Sequence, residues 1–165
     1  MSVTEVSARD AILGYVRSYP GIHFRALARN LGLGSGTLNY HTHILAENKL
    51  ITMLRFRKNK HLFPVGIGLF DQRCLALVRS TSTRALIEVL LSQKDGLTNK
   101  ELSHKTRLAP STISWHMQRL LKDGFVHQTN EKYSLCEAEH LRKIVAGYED
   151  APIDRLVTNF TRLWS

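Results

Sequence analysis

Apolar residues recur at helical spacing between Ala8 and Tyr19, at Ile12, Leu13, Tyr15 and Val16, until Pro20-Gly21 breaks the pattern. A shorter run follows in HFRALARNL, where Phe24, Leu27, Ala28 and Leu31 fall three or four residues apart. GLGSG interrupts it. Ser35 or Gly36 is placed to cap a third helix, from about Gly36 to Asn48, where the first turn leaves N–H groups without intrahelical partners. The period then changes. LITMLRFRKNKHLFP gives two β-prone runs around a Lys58-Asn59 turn, and Pro64 closes the unit.

The pattern then repeats. Gly21–Ile51 and Gly96–Val126 align without a gap, at a constant offset of 75 residues. Leu27 meets Leu102, Leu33 meets Leu108, and Leu45 meets Leu120; TLNYH (Thr37–His41) meets TISWH (Thr112–His116). Apolar character is kept at Ile22/Leu97, Leu38/Ile113, Leu50/Phe125 and Ile51/Val126. Such a period is too long for a solenoid unit and fits two copies of one small domain. In the second copy TRALIEVLLSQ is amphipathic and stops near Asp95-Gly96. TNKE (Thr98–Glu101) spells a capping box, and Pro110 or Ser111 opens the next helix. DGFVHQTNEKYSL is a shorter hairpin turning near Asn130-Glu131.

Helix, helix, tight turn, helix and hairpin, written twice, predicts a mainly α protein with small β-hairpin wings (α+β). It comprises two tandem winged helix-turn-helix domains plus C-terminal helices. The expected divisions are a first domain over 1–66, a linker helix over 67–80, a second domain over 81–136 and C-terminal helices over 137–165. The linker helix would set the mutual orientation of the domains through Cys74, Leu75, Leu77 and Val78. In the tail, Ala138, Leu141, Ile144, Val145 and Tyr148 share one side. A last helix opening at Asp150-Ala151-Pro152 carries the stripe Ile153, Leu156, Val157, Phe160 and Trp164. These helices are expected either to fold back on the second domain or to pair between subunits. A homodimer is expected, since two-fold symmetry suits palindromic sites.

At 100° per residue, Leu38, His41, Thr42 and Leu45 share the inward face of the first copy's third helix, and Ile113, His116, Met117 and Leu120 share that of the second. The two histidines are therefore read as part-buried structural residues. Outward lie Gly36, Asn39, Tyr40, His43 and Glu47 in one copy, and Ser111, Ser114, Trp115, Gln118 and Lys122 in the other. The N-terminal half of this helix is what a helix-turn-helix inserts into a major groove. Asn39, His43, Ser114 and Gln118 have donors and acceptors suited to base edges. Gly34 and Gly36 would let the backbone approach a phosphate closely at the helix N-terminus, and Ser35, Thr37, Tyr40, Ser111, Thr112, Trp115 and Arg119 complete the candidate DNA-binding surface. The first hairpin brings Arg55, Arg57, Lys58, Lys60 and His61 to one wing tip, a phosphate-gripping element. The second offers Gln128, Asn130 and Lys132 beside Glu131, a weaker electrostatic hand. Arg25 and Arg29, with Lys100 and Lys105, flank the supporting helices.

Charge sharpens this picture. The chain of 165 residues carries a formal +9, with +6 in residues 1–65 and +3 in the remainder, and its pI is about 9.9. Such a balance favours a polyanionic partner. No apolar run approaches membrane-spanning length, and the N-terminus does not read as a signal peptide. A cytoplasmic, nucleoid-associated protein is expected. Cys74 and Cys136 lack zinc-finger spacing. Cys136 and His140 stand at i, i+4 on an expected helix, while His41 and His43 at i, i+2 point apart, so no metal site or cofactor is expected. No nucleophile–base set or phosphate loop suggests an enzyme.

PGIHFRALARNLGLGSGTLNYHTHILAENKLI and LTNKELSHKTRLAPSTISWHMQRLLKDGFV resemble archaeal winged helix-turn-helix transcriptional regulators of the broad MarR/ArsR-like type. STISWHMQRLLKDGFV is especially similar to that group's recognition helix. The resemblance implies that the third helix of each copy is the reading element and that the hairpin is the wing; double-stranded DNA is the expected partner, with basal transcription machinery as a further candidate. It does not extend to both copies binding DNA. The rival reading is a winged-helix protein-interaction scaffold in a transcription or chromosome complex.

Overall fold

The computed structural model describes residues 3–148, with side chains from Ala8 onward. The chain divides into two compact units between Arg79 and Ser80. The first runs α1 (Val3–Ser18), β1 (Ile22–His23), α2 (Phe24–Leu31), α3 (Ser35–Glu47), β2 (Ile51–Phe56), β3 (Asn59–Pro64) and α4 (Leu69–Val78). The second runs α5 (Thr81–Leu91), β4 (Leu97–Thr98), α6 (Asn99–Thr106), α7 (Pro110–Lys122), β5 (Val126–Thr129), β6 (Lys132–Leu135) and α8 (Ala138–Ala146). From β1 to the start of β2, every boundary recurs 75 residues later, so the sequence repeat is a structural one.

Each core is built from the inward faces the pattern marks. In the first unit Ile12, Val16, Ile22, Leu27, Leu38, Leu45, Ile51 and Leu62 form one buried cluster. In the second, Ile87, Leu97, Leu102, Ile113, Met117, Leu120 and Val126 are buried. One aligned pair diverges: Leu50 stays 37% exposed where Phe125 is 1% exposed. Gly21 and Gly96 enter β1 and β4 with φ of +82° and +70°. At Gly96 a Cβ would collide with Ser134 Oγ and the Tyr133 carbonyl oxygen, so the sheet closes only over a bare backbone.

Each sheet has three antiparallel strands, ordered β1-β3-β2 and β4-β6-β5, not two. The added strands are two residues long, too short to show any period. Ile22 pairs with Leu62, and Leu97 with Tyr133. His61, expected at the wing tip, is instead 4% exposed, and its Nδ1 donates to the Gly21 carbonyl oxygen at 2.8 Å. Burial, with help from the nearby His23 and Arg79, holds its pKa below the usual value despite the Gly21 bond.

Caps and turns shift slightly from expectation. Gly34 rather than Ser35 or Gly36 is the N-cap of α3. The Thr98–Glu101 capping box is present, and its bonds to Thr98 pull the Glu101 carboxyl below the usual carboxylate range. The first hairpin turns at Arg57-Lys58, one residue earlier than expected, with Arg57 at φ 57°. The second turns at Asn130-Glu131, where both residues have positive φ, the conformation two-residue hairpin turns prefer.

The helices that follow each hairpin pack within their own unit. The segment expected as a linker helix is α4, and it belongs to the first unit; its Cys74, Leu77 and Val78 are at most 1% exposed. Gln72 Nε2 reaches Thr52 Oγ1 at 3.2 Å, pinning α4 to β2. Burial pushes the Cys74 thiol up to about 12, so it behaves as a core residue. In the second unit α8 folds back on α5. Leu141 is fully buried, and Arg142 Nη2 donates to the Leu91 carbonyl oxygen at 3.1 Å. The last expected helix, with its stripe from Ile153 to Trp164, lies outside the described residues.

Candidate nucleic-acid interface

In the first unit, Ser35, Gly36, Thr37, Asn39, Tyr40 and His43 are all exposed along one face of α3, with Tyr40 at 56%. Arg55 and Lys58 are exposed at the wing, and Arg57 and Lys60 are half-buried. Lys60 joins the two parts. Its Nζ donates to Asn39 Oδ1 at 3.2 Å and lies 5.0 Å from the Phe24 ring centroid. Helix and wing therefore form one continuous polar surface. The same bond takes one of the two lone pairs of Asn39 Oδ1, the atom that would accept from adenine. His43 is also engaged, 3.3 Å from Glu47 one turn on. Arg25 is exposed on α2, and its backbone N–H is accepted by His23 Nδ1 at the helix cap.

Sequence reasoning missed one cation here. Arg73, on α4, stands 6.0 Å from the Phe56 ring, whose neighbour Arg57 lies 5.2 Å from the same ring. Both guanidiniums gather at the wing around a single phenyl group. A helical segment read as a connector gave no sign that it packs beside the hairpin.

The second unit presents a different surface. Ser111, Trp115 and Gln118 are exposed on α7, while Thr112, Ser114 and Arg119 are half-buried. Ser114 is engaged by its own domain: Asn99 Nδ2 donates to its Oγ at 2.7 Å, and that Oγ donates to the Pro110 carbonyl oxygen at 3.0 Å. Ser114 aligns with Asn39, so in both copies this position ties the reading helix to its own domain. Trp115 is 53% exposed, with the Arg119 guanidinium 4.3 Å from its ring centroid. Lys100 is exposed, and Lys132 is half-buried beside the Glu101 carboxylate it helps to stabilise.

The paired histidines are buried in both copies, His41 at 4% and His116 at 7% exposed. Tyr40 and Trp115 meet them edge-on, at 5.2 and 4.8 Å between ring centroids. So the repeated pentapeptide supports an outward aromatic with an inward imidazole. His116 Nδ1 lies 3.2 Å from Thr83 Oγ1, whereas His41 Nδ1 is buried without a partner. The residue 75 positions before Thr83 is Ala8, which has no hydroxyl to offer.

Cys136 sits in the turn before α8 rather than on the helix expected to carry both it and His140. Its Sγ lies 3.7 Å from His127 Nδ1. Among the described residues no group of three or more His, Cys, Asp or Glu is placed to hold a metal ion. Among them, too, no helix is long and apolar enough to cross a membrane.

Two units, each of four helices with a hairpin beside the third, define a tandem winged helix-turn-helix protein. Residues 6–75 match the family described as an N-terminal HTH domain, and residues 80–127 match the family described as winged helix-turn-helix DNA-binding. Over 123 residues, 74% of its length, the chain is 27% identical to an uncharacterized HTH-type transcriptional regulator, MJ1398, of Methanocaldococcus jannaschii. It spans 31% of that curated relative. Among solved structures it is similar to the mRNA-binding domain of elongation factor SelB from E. coli in complex with SECIS RNA. That match has 11% identity and a TM-score of 0.37, over 83% of this chain and all of the other. The DIP2311 protein of Corynebacterium diphtheriae is a weaker match, with 14% identity and a TM-score of 0.27 over 78% of this chain and 26% of the other. The chain thus carries two helix-turn-helix domains in tandem, the second matching a family described as DNA-binding.

Proposed function

We propose that the chain is a sequence-specific, double-stranded-DNA-binding transcriptional regulator, nearest the MarR/ArsR-like type. In this reading α3 and α7 enter major grooves, and the first wing grips phosphates through Arg55, Arg57, Lys58 and Lys60. Ser35, Gly36 and Thr37, with Ser111 and Thr112, offer their helix starts to the backbone; Arg25, Lys100 and Lys132 add flanking charge. The observation that carries the reading is the Lys60–Asn39 bond, which makes the cationic wing and the exposed helix face one surface. The regulator domains in the relative support it. Such a role puts the protein on the nucleoid, in the cytoplasm. The apolar stripe from Ile153 to Trp164 supports a homodimer, which light scattering of the full chain tests. The protein-scaffold alternative has only the sparse charge of the second wing in its favour.

A gel-shift salt series on the upstream region of the protein's own gene tests the reading. Binding is expected to weaken steeply with salt, and Arg55/Arg57/Lys58/Lys60→Ala is expected to flatten that dependence by about 3–4 units of log–log slope, near 0.9 per lost phosphate contact. Binding that ignores the four alanines, or no binding to any duplex, would overturn it.

A further inference from the structure

The two reading helices differ in what they leave available. On α3, Asn39 is held by Lys60 and His43 faces Glu47. On α7, Ser114 is held by Asn99, and Arg119 packs on an aromatic ring. Its guanidinium lies over the Trp115 indole at 4.3 Å. Long helical side chains lean toward the N-terminus, and this contact shows Arg119 doing so, a full turn back along α7. Its charged end therefore lies at the level of Trp115, nearer the half of the helix that enters a groove. An open recess of about 370 Å³ lies beside it, lined by Ser111, Thr112, Trp115 and His116. Stacking on indole restricts a guanidinium while leaving its N–H edge open. That edge matches the O6 and N7 acceptors of guanine. The first copy has no such group, because Ile44 stands 75 positions before Arg119 and Tyr40 has no cation of this kind to brace.

We infer that Arg119, braced by Trp115, reads a guanine in the major groove, so that base discrimination resides in the second domain while the first supplies grip. This rests on the DNA-binding reading above. Trp115 is a positioning residue, and His116 beneath it keeps the indole upright.

The test is site selection from a random duplex pool with the full chain, followed by equilibrium binding to the selected duplex. A guanine is expected whose replacement costs about 10- to 100-fold in affinity. Arg119→Ala is expected to erase that preference. Arg119→Lys keeps the charge and the salt slope but loses discrimination, because an ammonium has no fork. Replacing the guanine by 7-deazaguanine, which lacks the N7 acceptor, is expected to weaken the wild type and to leave Arg119→Ala unchanged. Trp115→Leu is expected to reduce the preference without changing the salt slope. If Arg119→Ala selects the same guanine, or 7-deazaguanine binds the wild type as well as guanine does, the inference falls while duplex binding stands. If the chain selects no duplex, both readings fall together.

Discussion

The first hairpin has six paired rungs and the second has four. Counted from the base of each hairpin, the first four rungs correspond: Ile51–Pro64 with Val126–Leu135, through Leu54–His61 with Thr129–Lys132. The two further rungs, Arg55–Lys60 and Phe56–Asn59, and the turn beyond them carry every basic residue of the first wing tip. The second hairpin turns at Asn130-Glu131 where the first goes on. On the reading helices the bias reverses. The α3 face has its Asn39 and His43 engaged, whereas α7 holds Gln118 exposed and Arg119 on an aromatic rest. A duplicated scaffold can thus keep its core while one copy gathers cations on its hairpin and the other presents Gln118 and Arg119 on its third helix.

The largest expected effect probes whether the copies are equal in stability. Leu27 and Leu102 are aligned and fully buried. Leu27→Ala and Leu102→Ala should each destabilise by about 2–5 kcal/mol. Hydrogen exchange resolved by domain should show each loss confined to its own unit; a loss shared by both would mean that the units unfold as one. Next comes the wing contrast. Lys132→Ala should change the salt slope by no more than about one unit, against several for the four first-wing alanines. Equal effects would erase the division between gripping and reading.

A smaller effect tests the histidine supports. Thr83→Ala removes the hydroxyl beside His116 Nδ1 and should cost about 1–3 kcal/mol in a urea titration. The smallest is a pH effect confined to the first unit. His61 has a lowered pKa when folded, so between that value and about 6.5 the unfolded chain binds more protons. Stability should be full above about 6.5 and fall as pH drops below it. His61→Gln should flatten that dependence in thermal melts, and an unchanged slope would assign the acid sensitivity elsewhere.

Much of the fold was legible because it rests on periodicity. Leu27, Leu38, Leu45 and their counterparts mark the cores by spacing alone, and the inward place of His41 and His116 follows from helical phase. The third strand of each sheet was not legible, since two residues have no period. Nor was the burial of His61. Alternation along RFRKNKH places its side chain, but only the pairing of β1 with β3 supplies the Gly21 carbonyl that makes a buried imidazole tolerable. For the site, sequence showed which side chains stand outward on each helix. It could not show that Lys60 and Asn99 occupy Asn39 and Ser114, because those partners lie 21 and 15 residues away and meet only in the fold. Arg73 belongs to the same class, since a helix read as a connector delivers it to the wing.

The longer hairpin also has a length, not only a charge. Two additional rungs at about 3.4 Å each project its tip roughly 7 Å farther than its counterpart. That is about two nucleotide steps of a strand whose charges repeat every 3.4 Å. A footprint on bound DNA should therefore be lopsided, with protection running out about two base pairs farther on the side where this arm lies.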